Sequence, residues 1–207
     1  MENNQLNEQM LEAERQITRD QDEMPTFLSY LHDLACLIAG ILLVFSLLFR
    51  VVVVSGPSMN QTLVDGDWLL LLGNVLYSEP KQGDIIVASK KSFDDGSPII
   101  KRVIATEGQI VDIDFGAGIV YVDGVPLDEP YTLTPTNTSG GVEFPLTVAE
   151  GCVFAMGDNR NLSKDSRSLE IGLIDCREIL GKAVFLFFPG NNGGMVVRDF
   201  NRIGGMP

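Results

Sequence analysis

Residues 34–59 read Leu-Ala-Cys-Leu-Ile-Ala-Gly-Ile-Leu-Leu-Val-Phe-Ser-Leu-Leu-Phe-Arg-Val-Val-Val-Val-Ser-Gly-Pro-Ser-Met. Leu34 to Phe49 contains no charge, and Val51–Val54 follow a single arginine. Leu34–Val54, 21 residues, is about 31 Å long as a helix and matches the hydrocarbon core of a bilayer. The reading is a membrane-spanning helix, with Arg50 snorkelling to the interface. A cleaved leader fits worse, because the segment before it is long and acidic and the apolar run exceeds a usual leader core. Four residues past Val54 comes Ser58, in a Gly-Pro turn. That is a poor place for a structural hydroxyl and a good one for a nucleophile that meets its substrate at the bilayer surface.

What could activate Ser58 is narrowed by what is missing. The chain has one histidine, His32, on the other side of the apolar segment. A spanning helix would hold it about 30 Å from Ser58. A Ser-His-Asp arrangement is therefore excluded. Three scattered cysteines and one histidine also make a His/Cys metal site implausible, so no metal and no cofactor is expected. The base must be a lysine, a carboxylate or the N-terminus, and the N-terminus lies beyond the span.

The chain has 207 residues and a net charge of −13. Such a surface does not suit nucleic acid. Nor does it attract anionic lipid, so docking of the domain on a bilayer would have to be hydrophobic. Residues 1–33 hold two Arg against eight Asp/Glu and little apolar periodicity. They are read as an acidic, solvated tail, helical at most in part. The expected organisation is a tail at 1–33, a transmembrane helix at 34–54 and one β-rich domain at 55–207. The spacing of Cys152 and Cys176 does not establish a disulfide.

Beyond Ser58 the pattern is mainly β. Apolar or alternating runs predict strands at Trp68–Leu72, Asp84–Ser89, Ile99–Thr106, Gln109–Asp114, Ile119–Asp123, Cys152–Met156 and Lys182–Phe188, with turn signals between them. Residues 126–151 are rich in Pro, Thr, Asn and Gly and read as loop. Arg177–Leu180 reads as a short helical turn.

Lys101 lies in Pro-Ile-Ile-Lys-Arg-Val-Ile-Ala, an apolar strand. Alone, that run is equally a strand with a solvent-facing lysine. Burial would lower its pKa. From about 10.4, only about one lysine in a few thousand is neutral at pH 7, and a shift of two to three units costs roughly 3–4 kcal/mol of stability. Such a shift would make the amine a usable general base. Arg102, on the opposite strand face, is expected to stay solvated. A third cluster, Met-Gly-Asp-Asn-Arg-Asn-Leu-Ser-Lys-Asp-Ser-Arg, spans residues 156–167. Asp158, Arg160, Asp165 and Arg167 there suit a salt-bridge network that stiffens a loop.

Together the ordered clusters resemble the bacterial type I signal peptidases, membrane-bound Ser/Lys endopeptidases. The matching pieces are Ser-Gly-Pro-Ser58-Met, Asp65-Gly-Asp-Trp, Gly83-Asp-Ile-Ile-Val, Ile100-Lys101-Arg-Val-Ile, Gly157-Asp-Asn-Arg with Ser163-Lys-Asp-Ser-Arg167, and Gly181-Lys-Ala. The resemblance implies Ser58 as nucleophile, Lys101 as general base and Ser163 as the hydroxyl that positions the lysine. Asp158, Arg160, Asp165 and Arg167 would be structural support. The oxyanion would be received at the backbone of Ser58, with Gly56 as a weak second position because it offers no side-chain donor. Gly56, Asn60-Gln61 and Leu162 depart from the family pattern, and none touches the Ser/Lys pair.

The resemblance further implies a compact β-rich catalytic domain with a small β insertion, a cytoplasmic tail and an extracytoplasmic domain on a single-pass cell-membrane anchor. Its partners would be the lipid bilayer and the signal peptides of exported preproteins. These would bind as an added strand, with small residues at the first and third positions before the cut. Two rivals are weighed. The self-cleaving SOS-type repressors share Ser/Lys chemistry but have no anchor at the serine. A membrane-tethered β module of the same fold could bind a partner without catalysis.

Overall fold

The structure, a computed structural model, describes residues 2–91, 93–191 and 198–206. The chain divides into two units, 1–46 and 47–207. The first is helical. Helix α1 runs Glu2–Leu48, so the tail read as mostly solvated coil is helix. Within it Phe27–Leu48 has a mean hydropathy of 2.3 and no burial, long and apolar enough to cross a membrane. The one hydroxyl near its end is satisfied inside the helix, Ser46 Oγ donating to Leu43 O at 2.8 Å, as an apolar medium requires.

The helix ends at Leu48, six residues before the expected end of the span. Phe49–Val53 is a strand instead, paired antiparallel from Phe49↔Leu72 to Val53↔Trp68. Four consecutive β-branched valines fit a pleated strand at least as well as a helix. Uniform apolarity gives no period to separate the two. Once a partner strand is available, the ladder satisfies their backbone groups.

Among the described residues the second unit has twelve strands. They are β1 Phe49–Val53, β2 Trp68–Gly73, β3 Ile85–Ser89, β4 Pro98–Thr106, β5 Ile110–Asp114, β6 Ile119–Val122, β7 Val125–Pro126, β8 Leu146–Thr147, β9 Cys152–Met156, β10 Ile174–Asp175, β11 Ile179–Phe188 and β12 Gly204–Gly205. The larger sheet has the order β1-β2-β11-β3-β4-β9-β10, with β12 added on β11. The smaller sheet, β7-β6-β5-β8, is the insertion expected between the lysine strand and the Gly157 loop. The expected turn at residues 177–180 is a single 3-10 turn, Cys176–Glu178.

Alternation along β3 explains its unbroken apolar run. Ile85 and Val87 enter one core cluster with Leu69, Leu71, Met59 and Leu63. Ile86 and Ala88 enter another with Val103, Ala155 and Ile174. A strand covered on both faces has no polar side to show. A third cluster joins the sheets: Ile104 and Phe154 of the larger meet Val111, Ile113, Val120 and Val122 of the smaller. The cysteines are free thiols.

Phe154 is fully buried in that junction and meets Phe144 edge-on at 5.9 Å. Phe154→Ala is expected to destabilise the domain by about 3–5 kcal/mol, read from the denaturant midpoint of the full chain in detergent. A loss under 1 kcal/mol would mean that the two sheets do not share this core.

Candidate active site

The turn that carries Ser58 is anchored from below. Met59 and Leu63 are buried in the core, and the Leu63 N–H donates to Met59 O at 2.9 Å while Asn60 N–H donates to Pro57 O at 3.1 Å. On its approach side, Val54 N–H donates to Asp67 O and Gly66 N–H to Val54 O. Asp67, fully buried, accepts from Val64 N–H, Gly190 N–H and the Arg202 guanidinium. The Asp65-Gly66-Asp67 turn is thus the clamp that fixes the end of β1. Gly56 sits at φ 86°, a left-handed conformation that suits glycine.

Lys101 comes to the same place from β4. Its side chain is only 4 % exposed. The Nζ donates to Ser58 Oγ at 2.9 Å and to Ile100 O at 2.9 Å. Loss of hydration on burial lowers its pKa to about 8, against the smaller opposing pull of the Asp165 and Asp158 carboxylates. An amine of that pKa, when neutral, can accept the Ser58 proton. The bland reading of Lys101 as a solvent-face residue is overturned.

Arg102 is not solvated as expected. It is buried, and its guanidinium grips Asp158 through Nε at 2.8 Å and Nη2 at 2.7 Å. Its ring-stacking partner is Tyr131, 4.0 Å below the guanidinium. The opposite strand face is covered by the residues 129–138, a strap whose length and composition gave no sign that it would fold over β4. Arg160 pairs with Glu129 and donates to Thr136 Oγ1 at 2.9 Å. Arg167 holds Asp165 through Nε and Nη2, each at 2.8 Å. So Asp158, Arg160, Asp165 and Arg167 all sit in ion pairs, but Asp158 and Arg160 take their partners from outside the loop. Glu129, Tyr131 and Thr136 were missed by sequence reading.

This loop holds the serine turn. Asn159 N–H donates to Ser58 O at 3.0 Å, and Asn159 Nδ2 donates to Pro57 O at 3.1 Å. Thr62 hydroxyl reaches Asp158. Neither Asn159 nor Thr62 was singled out from the sequence. At Gly157 a Cβ would fall 2.3 Å from Ser163 Oγ and 2.4 Å from Ser58 O; only glycine permits this approach. Ser163 Oγ is buried with no hydrogen-bond partner among the described residues. It flanks Ser58 but makes no bond to Lys101. Gly56 N–H is engaged with Asp65 Oδ1 at 2.8 Å, whereas no acceptor faces Ser58 N–H among the described residues.

Ser58 and Lys101 lie in a cleft of about 500 Å³. One wall is Val52–Gly56, the outer edge of the sheet. The other is Ser97–Ile100, before β4 begins its pairing with β9 at Arg102↔Met156. Each wall is paired on one side, Val52 and Val53 with β2 and Pro98–Ile100 with β3, and its other side lines the cleft.

The protein family described as "Signal peptidase, peptidase S26" matches residues 27–188 of this chain. A probable signal peptidase I-1 of Synechocystis sp. is 40% identical over 167 residues, covering 74% of this chain and 81% of its own length. Signal peptidase I of Bacillus licheniformis is 35% identical over 158 residues, covering 72% and 82%. A solved signal peptidase I from Enterococcus faecalis is 30% identical and covers 50% of this chain and 96% of its own, with a TM-score of 0.40. That superposition is too loose to bear on the fold.

Burial of Lys101 has a measurable cost. Its folded pKa lies below the unfolded 10.5, so protonation favours the unfolded chain. The penalty is complete below pH 8 and fades as pH rises toward 10.5. At pH 7 it amounts to about 3 kcal/mol. Lys101→Met is expected to raise stability at pH 7 by roughly 1–3 kcal/mol, with the gain shrinking at pH 10. A variant less stable than wild type at pH 7 would contradict the buried, depressed amine.

Proposed function

The chain belongs to the signal peptidase family, peptidase S26, and on that premise we propose that it is a membrane-anchored serine endopeptidase that removes signal peptides from exported preproteins through a Ser58/Lys101 dyad. The observation that carries the reading is the 2.9 Å contact between Lys101 Nζ and Ser58 Oγ inside a cleft that no histidine shares.

The residues before the cut bind as an extended strand between the edges of β1 and β4, main chain to main chain. Small side chains before the cut suit the shallow walls. Neutral Lys101 takes the Ser58 proton as Oγ attacks the scissile carbonyl. The developing oxyanion is met by Ser58 N–H; Gly56 N–H stays with Asp65 and is not a second donor in this arrangement. Collapse passes the proton from Lys101 to the leaving amine and leaves an acyl-enzyme on Ser58. Lys101 then deprotonates a water that releases the signal peptide. Asn159 and Thr62, tied to the Arg102–Asp158 pair, hold the serine turn. Ser163 is placed to support the lysine once its hydroxyl turns toward the amine.

Phe27–Leu48 anchors the enzyme, with the tail cytoplasmic and the domain outside. Ser58 lies ten positions after Leu48, a chain that reaches at most about 35 Å. The dyad is thereby tethered to the bilayer from which its substrates emerge.

Ser58→Ala and Lys101→Ala are each expected to abolish cleavage of a purified precursor in detergent or vesicles, while the variants still fold. Normal processing by either removes the dyad. For the wild type, kcat/KM should rise roughly tenfold from pH 7 to pH 9, as the neutral amine goes from about a tenth to about nine-tenths of the population. A profile flat across this range removes Lys101 as the base; no cleavage at all, with Lys101 titrating near 10, would instead fit a domain that binds without catalysis.

A further inference from the structure

Next to the catalytic cleft lies a second cavity, of about 310 Å³. Lys164 lines both. Ser163, whose hydroxyl flanks the same point as Ser58 O, lines the second cavity as well. The two spaces therefore adjoin at Lys164, beside the turn that carries Ser58.

The cleft's walls include Val52–Val54, Pro98 and Ile99–Ile100. The second cavity sets the hydroxyls of Thr138, Ser139, Ser163 and Ser168 and the Lys164 ammonium beside the exposed Leu162 side chain. It is also preformed. Asn161 Oδ1 accepts from Asn137 N–H and Thr138 N–H, both at 3.2 Å, and so fixes the strap wall. Val142 N–H donates to Arg167 O at 3.1 Å. At Gly140 a Cβ would fall 2.4 Å from Arg167 O, so strap and loop are packed backbone to backbone.

The charges around it can be assigned. Arg167 lines the cavity, but its guanidinium is committed to Asp165, Thr138 O and Arg160 O. Lys164 is different. Its Nζ lies 2.9 Å from Glu170, in a pair whose side chains are 62% and 57% exposed. It also stands 5.8 Å from the Phe93 ring on the cleft rim. An exposed ion pair of this kind is weak and readily exchanged.

Resting on the Ser58/Lys101 reading, we propose that this cavity receives the first residues of the mature chain, on the leaving side of the scissile bond. Lys164 there selects an acidic side chain over a basic one. A chain that lays its small, apolar residues before the cut along the cleft must continue past Ser58. The adjoining cavity is where it arrives. The unpartnered Ser163 hydroxyl, with those of Ser139 and Ser168, can bond a polar side chain. The Lys164 ammonium repels a cation and draws a carboxylate away from its exposed pairing with Glu170.

The test uses full-length enzyme in detergent and peptides identical before the cut, with Ala at the first and third positions. Asp, Asn or Lys is placed in turn at each of the first three positions after the cut. At low salt, kcat/KM is expected to favour Asp over Lys at one of these positions by about threefold to tenfold, with Asn between. Lys164→Glu should invert that order. The wild-type preference should also shrink as salt is raised, a check that needs no variant. Equal Asp and Lys rates at all three positions overturn the proposal, as does a preference that Lys164→Glu leaves unchanged. If the Asn peptides are cleaved in a Ser58-dependent way while the charge ratios are flat, only this inference fails. If Ser58→Ala cleaves them normally, the dyad reading fails and this one with it.

Discussion

Lys101 brings an amine into a strand that is buried over most of its length, and nearly everything else in the domain accommodates that amine. An ammonium out of water is expensive, and the strand tolerates it because Ser58 Oγ and Ile100 O lie within hydrogen-bond distance. The Asp158 and Asp165 carboxylates exert a weak long-range pull that keeps the pKa from falling further. Those carboxylates are in turn neutralised by Arg102 and Arg167. The balance leaves a lysine that is neither permanently charged nor simply apolar, which is the condition for proton transfer near neutral pH.

The loop after β9 converts this balance into position. Its pairs at Asp158, Arg160 and Asp165 are buried, and removal of one partner from such a pair costs about 3–5 kcal/mol. Their stiffness reaches Ser58 through Asn159 N–H and the Asn159 amide. The smaller sheet and its strap take part although they carry no reacting group. Glu129, Tyr131 and Thr136 close over Arg102 and Arg160, so the insertion is a lid on the support network. The strap's later residues then form a wall of the cavity beside the dyad.

Much of this was legible in the residues. The runs at 68–72, 84–89, 99–106 and 152–156 lie within or within one residue of observed strands, because apolar runs bounded by Gly, Pro and Asp leave few alternatives. Ser58, Lys101 and the 157–167 loop stood out by residue type against their surroundings. Two readings went astray, and one residue went unread, for identifiable reasons. Val51–Val54 was assigned to the span because a uniformly apolar run carries no period. Arg102 was placed in solvent because strand alternation shows which side a residue faces, not what covers that side. Glu129 looked like any loop carboxylate, since its partner Arg160 is 31 positions away.

By itself the sequence determined an apolar helix, a β-rich domain after it, a serine just beyond that helix, and the absence of any histidine on the serine's side of it. Those are matters of composition, local period and order along the chain. Only the tertiary structure decided that Lys101 meets Ser58 across 43 positions, that Asn159 holds the serine turn, and that a second cavity adjoins the cleft. The physical reason is the antiparallel sheet. Its strand order, β1-β2-β11-β3-β4-β9-β10, joins segments far apart in the chain, and no local pattern states which edges pair or which stay open.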